Sequence, residues 1–323
     1  MSEKTVDYKY LFGPVPSRRL GISLGVDLMP YKTCSLDCVY CECGRTTNLV
    51  PDRREYVPTQ DVIGELQSFL STSPELDFVT FSGSGEPTLH SALGEIIRFL
   101  KKNYPQYSIA VLTNATLFSD AKVVEDVLPA DMILPSLDAA SEEVFRRINR
   151  PAENLTVEKV LDGLVSLRER FSGKMLLEIF IIPGLNDSES ELKNLKTAVH
   201  RIKPDQVQLN SLDRPGTESW VKPMVRERLG EIAAFLEWDT EIIARFSPIT
   251  GIRGYDFSTE QAILQTLKRR PCTLEDLSSS LGLVSAEIKK YLNGLMEQNK
   301  ISTERLNRGI FYRVLNQEEK FYG

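Results

Sequence analysis

Four of the chain's five cysteines lie within ten residues, in the stretch CSLDCVYCEC from Cys34 to Cys43. Thiolates bind soft transition metals and iron-sulfur clusters, whereas unreactive cysteines pack as small apolar side chains. A 4Fe-4S cube normally takes four ligands, so binding through Cys34, Cys38 and Cys41 alone leaves one iron open to a substrate or cosubstrate. Four thiols this close together therefore indicate a metal or redox centre.

Two other interpretations of this loop stay open. Four thiolates from ten residues could wrap one zinc ion, but a separate second pair of ligands is missing, since Cys272, His90 and His200 lie in different predicted elements. Buried, unreactive cysteines fit poorly beside the charged residues Asp37 and Glu42. The two histidines lie in or beside predicted helices and are expected at the surface, with no assigned role.

Length and composition describe an ordinary globular protein. The 323 residues are 41% hydrophobic, which suits one large domain with a smaller appendage. The opening residues MSEKTVDYKY contain no apolar segment, and no later run approaches the roughly 18 apolar residues of a membrane span. We therefore expect a cytoplasmic protein without membrane contact, where thiols stay reduced and a disulfide framework is unfavourable.

Charge is distributed unevenly along the chain. The formal net charge of -6 argues against a protein that coats nucleic acid nonspecifically. From Phe257 to Gly323, however, ten Lys and Arg stand against eight Asp and Glu. The tail is therefore mildly basic, and the rest of the chain is acidic.

The elements that must position the cysteine loop follow from a repeated alternation of apolar runs and amphipathic stretches. This alternation predicts a parallel sheet wrapped by helices, with strands over residues 22–28, 77–82, 108–113, 132–137, 175–182 and 206–210. Helix start signals lie at Thr59, Ser141 and Ser188. Six units are too few for a closed eightfold barrel, so a partial (β/α)6 barrel and a doubly wound open sheet remain.

Small, polar or charged residues follow all six predicted strands. In both geometries, active sites gather at the carboxyl ends of parallel strands. The strands are followed in turn by the cysteine loop, GSGEPT, Thr113-Asn114, Ser136-Leu137-Asp138, PGLND and NSLDRPG. Such residues also make ordinary turns, but their presence after every strand favours a functional rim.

The Cys34-x3-Cys38-x2-Cys41 loop, with Tyr40 directly before its last cysteine, resembles the signature of the radical S-adenosylmethionine (radical SAM) superfamily. GSGEP resembles that superfamily's Gly-Gly-Glu-Pro motif, with a serine in place of one glycine. The resemblance covers roughly residues 10–245. It favours an α/β fold with a partial (β/α)6 TIM-like barrel over residues 1–250.

The same resemblance implies which residues bind which group. The three cysteines are the implied ligands of a 4Fe-4S cluster, and Glu86 is the implied partner of the methionine amino group of SAM. The implied SAM-binding residues are Tyr40, Ser84, Gly85, Glu86, Thr113, Asn114, Ser136, Asp138 and Ile182. No catalytic residue beyond the cluster is implied.

The implied activity is reductive cleavage of SAM to a 5'-deoxyadenosyl radical that takes a hydrogen atom from a substrate. The electron is expected from an external donor such as flavodoxin or ferredoxin. Four arginines are predicted near the rim and could bind an anionic substrate: Arg18, Arg19, Arg150 and Arg214. Arginines at such positions are more often solvated or salt-bridged.

Within the superfamily, the segments GPVPSRRLGISLGVDL, CVYCECGRT, FSGSGEPTL and RRINRP resemble the wyosine-synthase-related branch. That branch includes enzymes that rebuild a guanine in tRNA, so an RNA base is the favoured substrate and a peptide or protein side chain is the alternative. One departure matters. Wyosine synthases carry a second cluster on further cysteines, for which this chain has only Cys43 and Cys272.

The tail indicates helices over residues 259–269, 273–281 and 285–298, then a hairpin around Arg308-Gly309. This order resembles a winged helix-turn-helix domain over residues 257–316, whose third helix and wing can bind nucleic acid or protein. The basic residues on those elements are Lys289, Lys290, Arg305, Arg308 and Arg313. Cys272 is expected to pack rather than to bind metal.

A protein of another class also remains possible on these features. A redox regulator with a cluster could bind DNA through the tail. The polar residues after every strand argue against it, because a sensor needs a cluster but no SAM pocket.

Overall fold

The computed structural model describes residues 8–17, 19–244, 259–281, 283, 285–306 and 308–315, apart from the side chains of residues 286, 287 and 290. Arg18, the side chain of Lys290 and the predicted boundary between residues 250 and 257 lie outside this description. The elements in chain order are β1 (Leu11–Ser17), β2 (Gly21–Val26), β3 (Thr33–Cys34), β4 (Asn48–Leu49), α1 (Thr59–Leu70), β5 (Phe78–Phe81), α2 (Leu93–Asn103), β6 (Ser108–Thr113), α3 (Ala121–Val127), β7 (Met132–Pro135), α4 (Glu142–Asn149), α5 (Val157–Arg170), β8 (Lys174–Phe180), α6 (Glu189–Ile202), β9 (Gln206–Asn210), α7 (Arg226–Leu236), β10 (Thr240–Ile242), α8 (Thr259–Arg269), β11 (Cys272–Thr273), α9 (Leu274–Leu281), α10 (Ser285–Glu297), β12 (Ile301–Leu306) and β13 (Gly309–Val314).

The main sheet of the described residues has eight strands in the order β1-β2-β5-β6-β7-β8-β9-β10. β1 is antiparallel to β2, and every other neighbouring pair is parallel. The prediction of an α/β fold with a parallel sheet is confirmed, since the six predicted strands form β2 and β5–β9. β1 and β10 are additional: β1 contains two prolines, which indicate a loop, and β10 has three residues.

Successive residues of the central strands enter two different apolar clusters, because side chains alternate between the faces of a sheet. Ile109 packs in the large core beneath the helices, whereas Ala110 packs with Leu134 and Leu176 in a small cluster on the other face. Leu20, from the turn between β1 and β2, completes that small cluster. Burial on both faces explains why these strands are continuous apolar runs in the sequence.

The helices begin close to the predicted start signals. Ser188 caps α6, because its Oγ accepts a hydrogen bond from the Glu191 backbone N–H at 3.3 Å. Ser141 precedes α4, and α1 begins at Thr59, as expected. No helix among the described residues is long and apolar enough to cross a membrane.

The tail has an apolar cluster separate from the large core, formed by α8–α10 and by the three-stranded sheet β11-β13-β12. Cys272 is buried in this cluster, which confirms its packing role. The tail lies against the main sheet: the guanidinium of Arg269 stacks over the Phe12 ring at 3.9 Å, and Arg308 Nη1 pairs with Asp213 Oδ2 at 2.5 Å.

Candidate active site

The cysteine loop lies at the carboxyl edge of the main sheet, between the end of α4 and the loop after β9. On one side, the Val39 backbone N–H donates to the Ile148 carbonyl at 2.9 Å. On the other, Thr217 Oγ1 donates to the Cys41 carbonyl at 3.1 Å. Two segments distant in sequence therefore hold the loop in place.

The five cysteines are free, and those of the loop are half-buried. Burial raises the pKa of Cys34 to about 11 and that of Cys38 well above its usual range. The pKa of Cys41 is lowered, because its sulfur accepts a hydrogen bond from the Cys43 thiol and faces the Lys32 ammonium. Metal ions bind thiolates and replace the protons that burial otherwise retains, so these thiols fit a group with thiolate ligands.

The cysteine loop differs from a site for a single metal ion. Within the described ranges, no three His, Cys, Asp or Glu side chains form a group that could hold a metal ion. An iron-sulfur cube makes a different demand, because each thiolate binds a different iron.

Glu86, in the GSGEP segment after β5, is buried and accepts four hydrogen bonds. Thr88 donates through its backbone N at 3.0 Å and its Oγ1 at 2.5 Å. Thr113 Oγ1 donates at 2.6 Å and the Asn114 backbone N at 2.7 Å. Burial raises the pKa of Glu86, and the four donors oppose that rise. The carboxylate therefore joins the carboxyl ends of β5 and β6.

Gly85 brings this segment against the strand that carries the first cysteine. A Cβ at Gly85 would lie 1.8 Å from the Thr33 carbonyl oxygen, which is closer than any side chain allows. The next residue, Glu86, donates its backbone N–H to the same oxygen at 3.3 Å. The glutamate loop and the cysteine loop are thus in direct backbone contact.

Ser84 contacts the end of β2. Its backbone N and its Oγ both donate to Asp27 Oδ2, at 3.0 and 2.7 Å. Burial raises the pKa of Asp27, and the bonds from Ser84 lower it. Asp27 was not among the predicted site residues.

Asp138, after β7, lies at the centre of a second hydrogen-bonded group. It accepts bonds from Tyr40 Oη at 2.6 Å, Asn149 Nδ2 at 2.8 Å and the Phe180 backbone N at 3.0 Å. Burial raises the pKa of Asp138 to about 6. The Tyr40 ring stacks on Phe180 with centroids 3.9 Å apart.

A small cavity of about 40 Å³ opens beside this group, lined among others by Leu36, Tyr40, Asn114, Ser136, Asp138 and Asn149. Asn149 Oδ1 is buried and has no hydrogen-bond partner among the described residues. Such an atom suits a ligand hydroxyl or amine. The volume of the cavity is below the ~300 Å³ that small-molecule pockets usually exceed.

Ile182 is linked to Asp138 through Asn186. The Ile182 backbone N–H donates to Asn186 Oδ1 at 2.8 Å, and Asn186 Nδ2 donates to the Asp138 carbonyl at 2.8 Å. The structure therefore brings every predicted site residue to one edge of the sheet. Their predicted roles toward a cofactor stay predictions.

The described arginines that the sequence predicts near the rim lie in ion pairs. Arg19 pairs with Glu178, and Arg150 Nη1 pairs with Glu218 at 2.6 Å. Arg214 is fully buried, with Nη2 3.6 Å from Asp276 of the tail. A role in substrate binding stays a prediction for each of them.

One expectation about the histidines was wrong. His90 is fully buried, and its Nε2 lies 2.9 Å from the Val57 carbonyl oxygen, so it belongs to the interior. His200 is exposed, as expected.

Sequence reasoning missed four residues that contact the site: Lys32, Asp27, Asn149 and Asn186. Two of them had a signal. Lys32 lies two residues before Cys34, and Asn149 lies within the segment RRINRP.

Comparison with known proteins agrees with this geometry. The sequence model of the radical SAM superfamily matches residues 28–195, more than half of the chain. A UPF0026 protein of Methanocaldococcus jannaschii is 30% identical over 311 residues, which cover 93% of this chain and 94% of the relative. A Brachyspira hyodysenteriae protein named GTPase Obg is 32% identical over 308 residues, or 95% of this chain. The match spans only 45% of that relative's length.

Among solved structures, a radical SAM methyltransferase from Sphaerobacter thermophilus shares the fold at a TM-score of 0.54 and 17% identity. The match covers 70% of this chain and 67% of that one. With the superfamily match over residues 28–195 and the three-cysteine loop at the carboxyl edge of a parallel sheet, the chain belongs to the radical SAM superfamily of enzymes.

Proposed function

We propose that this protein is a radical SAM enzyme in which the main sheet is a partial barrel and its carboxyl edge is the active site. One observation carries the proposal. The cysteine loop is joined directly to Glu86 through the Thr33 carbonyl and to Asp138 through the hydroxyl of Tyr40. The residues proposed for the cluster and those proposed for SAM thus form one connected polar site.

Within this site, Cys34, Cys38 and Cys41 are the proposed ligands of a 4Fe-4S cluster. When bound, the cluster and SAM would supply one-electron chemistry for abstraction of a hydrogen atom from a substrate. The chain's own residues bind SAM and orient it. The Glu86 carboxylate suits an ammonium group because it makes charge-assisted hydrogen bonds, and Asp138 suits hydroxyl groups.

Anaerobic reconstitution with iron and sulfide, followed by dithionite and SAM, tests the proposal. We expect about four irons per chain and formation of 5'-deoxyadenosine. Separate Ala variants of Cys34, Cys38 and Cys41 are expected to lose both. Cys43→Ala is the matched control and should keep its iron and still cleave SAM. If the reconstituted wild-type protein forms no deoxyadenosine, the proposal is wrong.

The donor of the electron is proposed to be a flavodoxin or a ferredoxin. A cytoplasmic location, where thiols stay reduced, suits this chemistry. The test replaces dithionite with a reduced flavodoxin of known potential and measures deoxyadenosine. No product with any such donor would contradict the choice of partner but not the reaction.

For the tail we propose a winged helix-turn-helix domain and, for the substrate, an RNA base in tRNA. The order helix, short strand, two helices and hairpin supports the domain. Arg308 pairs with Asp213 and Asp276, so nucleic acid has to use other groups, such as Lys289, Arg305 and Arg313.

Protein purified at low salt and treated with or without ribonuclease tests the RNA proposal. We expect tRNA to copurify and to increase deoxyadenosine formation. Peptide-stimulated turnover without an RNA effect would favour the alternative, a peptide or protein side chain as substrate.

A further inference from the structure

Each of the three proposed ligand thiols accepts a hydrogen bond from one side-chain N–H group. The donor and acceptor pairs are Asn114 Nδ2 to Cys34 Sγ at 3.5 Å, Asn149 Nδ2 to Cys38 Sγ at 3.3 Å and Lys32 Nζ to Cys41 Sγ at 3.2 Å. The donors come from the loop after β6, the end of α4 and the segment before β3. Cys43 differs, because its single S–H group is a donor, with the Cys41 sulfur and the Gly83 carbonyl oxygen, at 3.5 Å, as alternative acceptors.

The neighbouring hydrogen bonds fix the orientation of both amides. Asn114 Oδ1 accepts bonds from the backbone N and the Oγ1 of Thr116, at 3.1 and 2.8 Å, so its NH2 group is the one that faces sulfur. Asn149 Nδ2 also donates to the Asp138 carboxylate at 2.8 Å, which only an NH2 group can do.

Lys32 contributes a full positive charge. The residue is buried, at 3% exposure, and its ammonium nitrogen lies 3.2 Å from the Cys41 sulfur. Its carbonyl accepts bonds from the backbone N–H groups of Thr47 and Asn48, both at 3.1 Å, which fix the backbone beside the loop. This position directs the ammonium group at one of the three proposed ligand sulfurs.

This arrangement has a specific effect on an iron-sulfur cluster. Reduction adds one negative charge, and N–H groups directed at the ligand sulfurs stabilise that charge, as does a nearby cation. A charged donor makes a hydrogen bond roughly twice as strong as a neutral donor does. Lys32 is therefore expected to contribute more than either asparagine.

We propose that Lys32, assisted by Asn114 and Asn149, raises the reduction potential of the cluster bound by Cys34, Cys38 and Cys41. The inference rests on the proposed function, since it requires that cluster. Lys32 affects the cluster only through its contact with the Cys41 sulfur and does not touch the substrate.

A redox titration of the reconstituted full-length protein, followed by the EPR signal of the reduced cluster, tests this. At the wild-type midpoint potential, Lys32→Met is expected to hold at most a tenth of the wild-type ratio of reduced to oxidised cluster. For a one-electron couple, this ratio means a midpoint at least 59 mV more negative. Lys32→Arg keeps the charge and should stay within threefold of the wild-type ratio.

Arg45→Met is the matched control, because it removes one positive charge from the exposed side of the same loop. We expect a ratio within threefold of wild type. A Lys32→Met ratio within threefold of wild type would overturn the inference. The inference would also be overturned if Arg45→Met or Lys32→Arg shifted the midpoint potential as much as Lys32→Met does.

If Lys32→Met does not retain iron, Lys32→Gln, which is also neutral but polar, is titrated in its place. A more negative potential supports the inference, and an unchanged one overturns it. Iron and sulfide content are measured separately, so a wild-type protein without a cluster contradicts the proposed function, whereas a cluster of unchanged potential contradicts only this inference.

Discussion

The hydroxyl of Tyr40 donates a 2.6 Å hydrogen bond to Asp138, which joins the cysteine loop to the carboxyl end of β7. Phe180 supports the Tyr40 ring on one side, and its backbone N–H holds the other carboxylate oxygen of Asp138. The pair therefore reports whether the two parts of the site are assembled.

The first prediction concerns the pH dependence of stability in the cluster-free protein. The pKa of Asp138 is raised to about 6 by burial, so the folded protein holds this proton more tightly than the unfolded chain. The resulting stability is present in full below the unfolded pKa of roughly 4 and is lost as pH rises through about 6. From pH 7.5 to pH 4, the stability of wild type relative to Asp138→Asn should rise by about 2–3 kcal/mol.

Urea unfolding at several pH values measures this difference. Asp61→Asn, at an exposed position of α1, is the control and should change by less than about 0.5 kcal/mol over the same range. A wild-type advantage over Asp138→Asn that falls as the pH is lowered would contradict the sign.

The second prediction concerns Glu86→Gln. In the wild type, both carboxylate oxygens accept hydrogen bonds from N–H or hydroxyl groups. The variant replaces one of these oxygens with an NH2 group, which is itself a donor, so at least one buried donor loses its acceptor. We expect a loss of about 2 kcal/mol in the free energy of unfolding and weaker SAM binding by equilibrium dialysis. Glu75→Gln, at an exposed position, is expected to change neither.

The third prediction concerns Gly85→Ala. The added methyl group would overlap the Thr33 carbonyl, so the two loops must separate at a cost of about 1–3 kcal/mol, with reduced iron retention after reconstitution. Gly64→Ala provides a contrast, because Gly64 lies in α1 with open space around its Cβ position. This control should be more stable than wild type by about 0.5–1 kcal/mol. Equal effects of the two substitutions in thermal unfolding would be inconsistent with the contact.

The fourth prediction concerns the docking of the tail. Arg308→Gln removes a guanidinium that binds both Asp213 and Asp276, and Asp276 is buried. Amides of α9 should exchange with deuterium at least tenfold faster, a change of about 1.4 kcal/mol in local opening. Arg313→Gln is the comparison variant, because the Arg313 side chain is more exposed than that of Arg308. Similar exchange in the two variants would mean that Arg308 does not hold the tail.

The sequence predicts strands well where burial on both faces makes them continuous apolar runs, as in residues 108–113 and 206–210. It fails for β1, where Pro14 and Pro16 mask an edge strand, and for β10, which is too short to show a period. The resemblance of two short motifs to those of the radical SAM superfamily is what singles out the cysteine loop and Glu86 in the sequence. The contact of Asn149 with Cys38 and that of Asn186 with Asp138 depend on packing between distant segments, which spacing does not encode.

The contact between Gly85 and Thr33 has a consequence for protein engineering. Because the two loops share one carbonyl oxygen and leave no room for a side chain, they form a single transplantable unit. A chimera that takes residues 32–50 from another superfamily member should assemble only if it also takes residues 82–90 from the same parent.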